Sequence, residues 1–229
     1  MQLLLENFQN RKFHLKVDKM NLSTLIKKYK EKENEIKKRI LEFKKNQKNL
    51  NSITEELAFC IFAANSKAIA AYRAQKELAS SKLLDSNNAK KISFILKKSG
   101  VRFHNKKAKY FILSKKRLLT KEFLEIIKKT KNEFELREFV IKNSLGLGLK
   151  EASHFLRNIH LCSNLAILDR HILKKLKEYK IIKKIPKNLN RKNYLEIEKR
   201  MQRFSKKIKI PLNRLDLYFW SEQTGYIFK

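Results

Sequence analysis

The chain has 229 residues, with 55 Lys or Arg against 22 Asp or Glu, a formal net charge of +33 at pH 7. Such a chain repels itself, which points to a polyanionic partner, nucleic acid ahead of an anionic membrane surface. Four Gly and two Pro supply too little turn chemistry for a many-stranded sandwich or barrel, and two cysteines, Cys60 and Cys162, cannot build a disulfide framework or a four-cysteine zinc or iron–sulfur site.

Taken in order, nearly every segment predicts a helix. The first ten residues lack a signal-peptide core, and Phe13-Leu15-Val17 alternates too briefly to make a strand. Leu22, Leu25, Ile26, Tyr29, Ile36, Ile40 and Phe43 recur at helical steps, the pattern of one long amphipathic helix or two in succession. Ser52 with Glu55 reads as a capping box ahead of the apolar run Leu57 to Ala64. That run is apolar on all sides, so it predicts a central buried helix, and it is far short of the ~20 residues that span a bilayer. Asn65-Ser66 breaks it, and an Ala-rich helix follows to about Ala79.

Residues 86–99 predict a helix stopped by Gly100, followed by the loop Val101 to Asn105 and a basic helix from about Lys106. Thr120 is placed to cap the next helix, and Asn132 with Glu135 the one carrying Phe134, Phe139 and Val140. Tyr194, Ile197, Met201 and Phe204 mark a late helix after Pro186, and a last one runs from about Leu212 to Gly225. The expected class is all-α, in a soluble, reduced, cytoplasmic protein.

Two of the glycines fall together in Asn143-Ser144-Leu145-Gly146-Leu147-Gly148-Leu149-Lys150, between two helical segments. A glycine hairpin of this kind turns backbone N–H groups outward. Gly146, Leu147 and Gly148 can thus hold a DNA phosphate without reading sequence, because a positive φ and a close phosphate both exclude a Cβ. Lys150 opens the following helix. Asp169 precedes Arg170-His171-Ile172-Leu173 and reads as an N-cap, a fixed, ionised carboxylate suited to stabilising a nearby cation. The five histidines show no metal spacing, and no metal site is expected.

GLGLKEASHFLRN followed by AILDRHIL resembles the helix-hairpin-helix–Gly-Pro-Asp superfamily of DNA repair glycosylases, in particular the type-2, archaeal-type 8-oxoguanine DNA glycosylase/AP lyases. EELAFCIFAANSKAIAA, VRFHNKKAKYFI and LDLYFWSEQTGYIFK are similar to further parts of that family, so the resemblance spans roughly Glu55 to Lys229. It implies a two-lobed helical fold with a helix-hairpin-helix at the DNA-binding cleft. Residues 51–229 would form the glycosylase/lyase core, with the hairpin near 145–149, and residues 1–50 a basic amphipathic segment packed on it. One departure stands out: the superfamily's hairpin proline is replaced by Leu145 or Ser144, which predicts a less rigid hairpin entry.

By this resemblance the protein excises 8-oxoguanine from double-stranded DNA and also cleaves abasic sites. Lys150 is the nucleophile that forms a Schiff base with the flipped nucleotide, Asp169 stabilises the cationic transition state, and β-elimination cuts the strand. Phe103 and Trp220 would sandwich the base, and Lys229, including its α-carboxylate, would read it. 8-Oxoguanine gains an N7–H donor where guanine has an acceptor. Arg102 or Asn105 would fill the gap left in the duplex. No cofactor is implied, although a monovalent cation at the hairpin is compatible with the superfamily, as are a monomeric state and association with the nucleoid. Another reading of the same residues stays open: a non-catalytic helix-hairpin-helix DNA- or RNA-binding protein, with Lys150 a phosphate contact and Asp169 only a cap.

Overall fold

The computed structural model describes residues 19–229 except Lys48, with residues 19–21 described by backbone alone. Phe13-Leu15-Val17 and the start of the basic N-terminal segment lie outside the described residues. Among the described residues the chain forms eleven α-helices and no strand. They are α1 (Lys19–Asn46), α2 (Leu50–Ala63), α3 (Ala68–Ser80), α4 (Ala89–Lys98), α5 (His104–Leu118), α6 (Lys121–Lys129), α7 (Glu133–Asn143), α8 (Leu149–Asn158), α9 (Arg170–Glu178), α10 (Arg191–Ile208) and α11 (Leu212–Thr224).

Two hydrophobic cores divide these helices. The first gathers α2 to α8 and ends at Leu165. The second begins at Ala166, takes in α9, α10 and α11, and recruits α1 from the start of the chain. Leu57 to Phe62 of α2 are each at most 1% exposed, so the apolar run is the axis of the first lobe, packed by α3, α5 and α8. The long periodic segment is one helix, α1. It buries Leu25, Tyr29, Ile36, Ile40 and Phe43 in the second core, where each aliphatic or Phe side chain contributes roughly 1.5–3 kcal/mol.

Local chemistry sets most helix ends. Gly100, at φ +83°, closes α4 with bonds from its own N–H to Lys97 O (3.0 Å) and from Val101 N–H to Leu96 O (2.9 Å), a Schellman stop. Thr120 caps α6, and Asn132 Oδ1 caps α7. The start of α2 differs from the capping box expected at Ser52. Asn49 Oδ1 accepts from Asn51 N (2.8 Å) and Ser52 N (3.4 Å), so the helix begins earlier and Ser52 lies inside its first turn. An Asn cap is as favourable as a Ser cap. Glu55 is then free to accept from Gln75 Nε2 at 2.8 Å.

Three buried charge pairs cross between the lobes. Arg137 of α7 meets Glu198 of α10 through two parallel bonds, 2.7 and 2.9 Å, both side chains 1% exposed. Arg157 of α8 faces Asp216 of α11 at 3.6 Å. The end of the chain returns to the first lobe, where Lys229 Nζ donates to Glu56 Oε1 (2.8 Å) and Gln75 Oε1 (2.9 Å). Replacing a buried pair with apolar residues is often neutral, but removing one member is costly, so such pairs fix geometry more than they add stability.

Candidate active site

The turn between α7 and α8 is a glycine hairpin. Gly146 has φ +80°, and a Cβ there would sit 2.6 Å from Tyr110 Cδ2 of α5. Both backbone sign and ring contact therefore require glycine. Gly148 is different. It is the N-cap of α8 at φ −95°, and a Cβ would meet only Glu151 Oε2 at an ordinary 3.5 Å. Nothing among the described residues requires glycine there. Leu147 is 5% exposed and packed in the first core, so only its backbone can face a partner.

The missing hairpin proline has a replacement. Leu145 N–H donates to Ser114 Oγ (2.7 Å), and Ser114 Oγ donates to Leu145 O (3.3 Å). Ser144 Oγ donates to Val140 O (2.6 Å). The hairpin entry is thus tied to α5 and α7 by hydrogen bonds rather than left loose, one of them through an N–H that proline lacks.

Lys150 stands in the first turn of α8 with its side chain 26% exposed, and its Nζ lies 3.1 Å from Glu151 Oε1. Asp169 is the N-cap of α9. Its Oδ1 accepts from His171 N and Ile172 N, both at 2.8 Å, which locks the carboxylate in place. Lys150 belongs to the first lobe and Asp169 follows the crossing into the second. Arg157, two turns beyond Lys150 on α8, ties that helix to Asp216 of α11. Asp216 is 4% exposed, and its carboxyl is pushed up to about 7, by burial first and further by the Asp169 charge, with Arg157 opposing.

Phe103 is 57% exposed and sits at φ +57°, a left-handed conformation uncommon for a bulky residue and found where surrounding contacts impose it. Those contacts are visible. Ser66 Oγ accepts from Arg102 N (2.9 Å) and from Lys107 Nζ (2.8 Å), and Lys107 Nζ also donates to Phe62 O (2.7 Å). The buried Lys107 ammonium is held down to about 8, chiefly by burial, with Arg102 and Lys150 pushing the same way. The Arg102 guanidinium lies 5.2 Å from the Phe103 ring centre. Asn105 is exposed, and its Oδ1 accepts from Ser93 Oγ (2.6 Å), so it is tethered to α4 while Arg102 keeps its side chain outward.

Trp220 is half-buried on α11. Its ring stacks on Phe228 at 5.7 Å and 25° and meets His171 edge-on at 6.1 Å. No ring contact joins Trp220 to Phe103 among the described residues. Phe228 passes the aromatic series on to Tyr72 (5.5 Å) and Phe59 (6.1 Å), and Phe59 meets His154 edge-on. Burial, followed by the charges of Arg157 and Lys150, holds the His154 imidazole well below its usual range, so it stays neutral. Lys229 Nζ lies 4.6 Å from the Phe59 ring centre, beside a cavity of about 340 Å³ lined in part by Glu55, Glu56, Tyr72, Gln75 and Phe228.

Sequence reasoning passed over Phe228, Ser66, Lys107, Arg157 and Asp216. Asp216 left a signal, a lone acid inside the apolar run Leu215 to Trp220. Lys107 left none among so many surface lysines. No helix among the described residues is long and apolar enough to cross a membrane.

A family model described as 8-oxoguanine DNA glycosylase matches residues 36–210, reaching upstream of Glu55 into α1. The 8-oxoguanine DNA glycosylase/AP lyase of Methanocaldococcus jannaschii is 42% identical over 212 residues, covering 90% of this chain and 99% of its own. The protein of that name from Fusobacterium nucleatum is 38% identical over 209 residues, covering 88% and 94%. Among solved structures, the M. jannaschii 8-oxoguanine glycosylase/lyase in complex with a 15mer DNA containing 8-oxoguanine aligns with a TM-score of 0.78 at 39% identity, covering 90% of this chain and all (100%) of that one. The 8-oxoguanine DNA glycosylase of Thermotoga maritima gives 0.81 at 30% identity, covering 94% and 100%.

Proposed function

The chain belongs to the 8-oxoguanine DNA glycosylase family, and from that premise we propose how its own residues excise 8-oxoguanine and then cut the strand at the resulting abasic site. The hairpin N–H groups at Gly146 to Gly148 and the start of α8 hold a backbone phosphate, and Gly148 lacks a side chain so that the phosphate can approach. The nucleotide leaves the duplex, and its base enters the junction between the lobes. Phe103, exposed and held left-handed, stacks on one side of the base and Trp220 on the other. Lys229, fixed by Glu56 and Gln75, reads the N7–H through its main-chain carbonyl oxygen. Arg102 fills the vacated stack, since Asn105 is occupied by Ser93.

Chemistry then divides between two side chains. The Lys150 amine attacks C1′ through its nitrogen lone pair while the N-glycosidic bond breaks and its electron pair leaves with the base. Asp169, pinned by its two cap bonds, balances the positive charge that develops on the sugar. The amine gives up a proton, the sugar ring opens, and nitrogen and C1′ form a Schiff base. Removal of a C2′ proton then expels the 3′ phosphate. The observation that supports this reading most is the contrast between the two residues. Lys150 is reachable in the first turn of α8, where it pairs with the neighbouring Glu151, and Asp169 is held by two cap bonds at the head of α9.

Borohydride trapping on a duplex with one 8-oxoguanine tests the reading. A covalent complex should form with the wild-type protein and vanish in Lys150→Gln, while DNA affinity stays within a few-fold. Strand cleavage retained by Lys150→Gln would remove Lys150 as the nucleophile. Tight DNA binding with no trapping on lesion or abasic duplexes would favour the binding-module reading instead.

A further inference from the structure

The segment that delivers Asp169 to the junction is fastened from both lobes. Glu133 of α7 accepts from Ser163 N (2.7 Å) and Asn164 N (2.8 Å). Three residues before Asp169, Ala166 N–H donates to Glu198 Oε1 of α10 at 2.8 Å, and Ala166 O accepts from the Tyr194 hydroxyl at 2.5 Å. The same Glu198 carboxylate carries the bidentate pair with Arg137, one turn along α7 from Glu133. Arg137 Nη1 also donates to Ser153 Oγ at 3.2 Å, on α8 three residues after Lys150. The guanidinium lies over the rings of Phe134 (5.5 Å) and Tyr194 (5.8 Å), which leave it little freedom to move.

A bonded path therefore runs from the helix of Lys150, through Ser153, Arg137 and Glu198, to Ala166 and the extended segment that ends in Asp169. We propose that Arg137 and Glu198, assisted by Tyr194, are positioning residues for base excision: they set the separation between Lys150 and Asp169 by fixing the segment after Leu165 to α8. This rests on the assignment of Asp169 to the excision step. Neither residue touches DNA or the reacting atoms. A carboxylate that must face developing charge gains from being held, because a misplacement of about 1 Å can cost on the order of 100-fold in rate.

Cleavage at an abasic site already present does not need that alignment, since Lys150 condenses there with a free aldehyde and no glycosidic bond has to break. The two activities should thus separate. In single-turnover assays Glu198→Gln, which keeps an acceptor for Ala166 N–H, should slow 8-oxoguanine excision by about 10-fold or more. Abasic-site cleavage and affinity for the lesion duplex should change by less than about 3-fold, well inside that positional effect. Tyr194→Phe removes one hydroxyl and keeps the ring, so it should fold even if Glu198→Gln does not, and it should move the ratio of the two activities in the same direction. The double variant Arg137→Met/Glu198→Leu replaces the pair with apolar side chains and should regain stability without regaining excision.

Excision and abasic cleavage falling together, in step with the melting temperature, would make the pair merely structural and overturn the proposal. So would folded variants with unchanged excision while Asp169→Asn abolishes it. Excision that survives Asp169→Asn would instead remove Asp169 from the reaction, and the purpose of the clamp with it.

Discussion

At the front of the lobe junction Lys150 and Phe103 are 26% and 57% exposed and make few bonds. Behind them Arg137, Arg157, Glu198, Asp216, Glu56 and Lys229 are buried, and each faces an opposite charge across the lobes. The same residue types serve opposite ends in the two places. In front, the Lys150 cation stays partly open to solvent. Behind, desolvation makes an unpaired charge costly, so the pairing dictates where the helices stand. Net charge thus governs what the molecule binds, and a few buried charges govern the shape of the site that binds it.

The sharpest way to break this contrast is to remove one charge from each region. Glu56→Ala strands the buried Lys229 ammonium and should cost about 3–5 kcal/mol in chemical denaturation. Lys150→Met should change stability by less than about 0.5 kcal/mol, because its ion pair with Glu151 is partly open to solvent. Similar losses in the two would erase the distinction between front and back.

The two hairpin glycines carry the comparison into the backbone. Gly146→Ala should lower stability by roughly 1–3 kcal/mol, from the left-handed φ and the clash with Tyr110. Gly148→Ala should alter stability by less than about 1 kcal/mol, the size of an N-cap exchange, yet weaken binding to duplex DNA more than Gly146→Ala does per unit of stability lost. If calorimetry and binding assays ranked the two alike, Gly148 would have no role at the phosphate.

A smaller effect sharpens the description of the buried pairs. Burial raises the Asp216 carboxyl to about 7, so between about pH 4 and 7 the native state keeps a proton that the unfolded chain has released. Stability from this group therefore falls as pH rises through that window and is constant above it. Asp216→Asn lacks this loss, so its stability relative to wild type should improve from pH 4 to pH 7 by on the order of 1 kcal/mol or more. A difference that does not depend on pH would mean that Arg157 keeps Asp216 ionised throughout.

Much of the fold was legible because it is local. Recurrence at helical steps gave α1, an unbroken apolar run gave α2, Gly100, Thr120 and Asn132 marked helix ends, and the hairpin with Lys150 and Asp169 lies within one short stretch. Local rules misplaced what competes locally: Asn49 takes the cap expected of Ser52, and α5 begins at His104, inside the expected loop. Two glycines one residue apart looked equivalent in sequence, and the presence of Tyr110, from another helix, separates them.

The sequence by itself determined the all-helical class, the strong positive charge, the chemistry offered at positions 150 and 169, and the family resemblance. Tertiary structure decided which of 55 basic residues became Arg137, Arg157, Lys107 and Lys229 in the interior, that α1 completes the second lobe, and that Phe228 covers Trp220. The reason is physical. A helix or a cap is selected by neighbours within a turn, whereas a buried charge is selected by a partner such as Glu198, 61 residues from Arg137, whose approach no local pattern records.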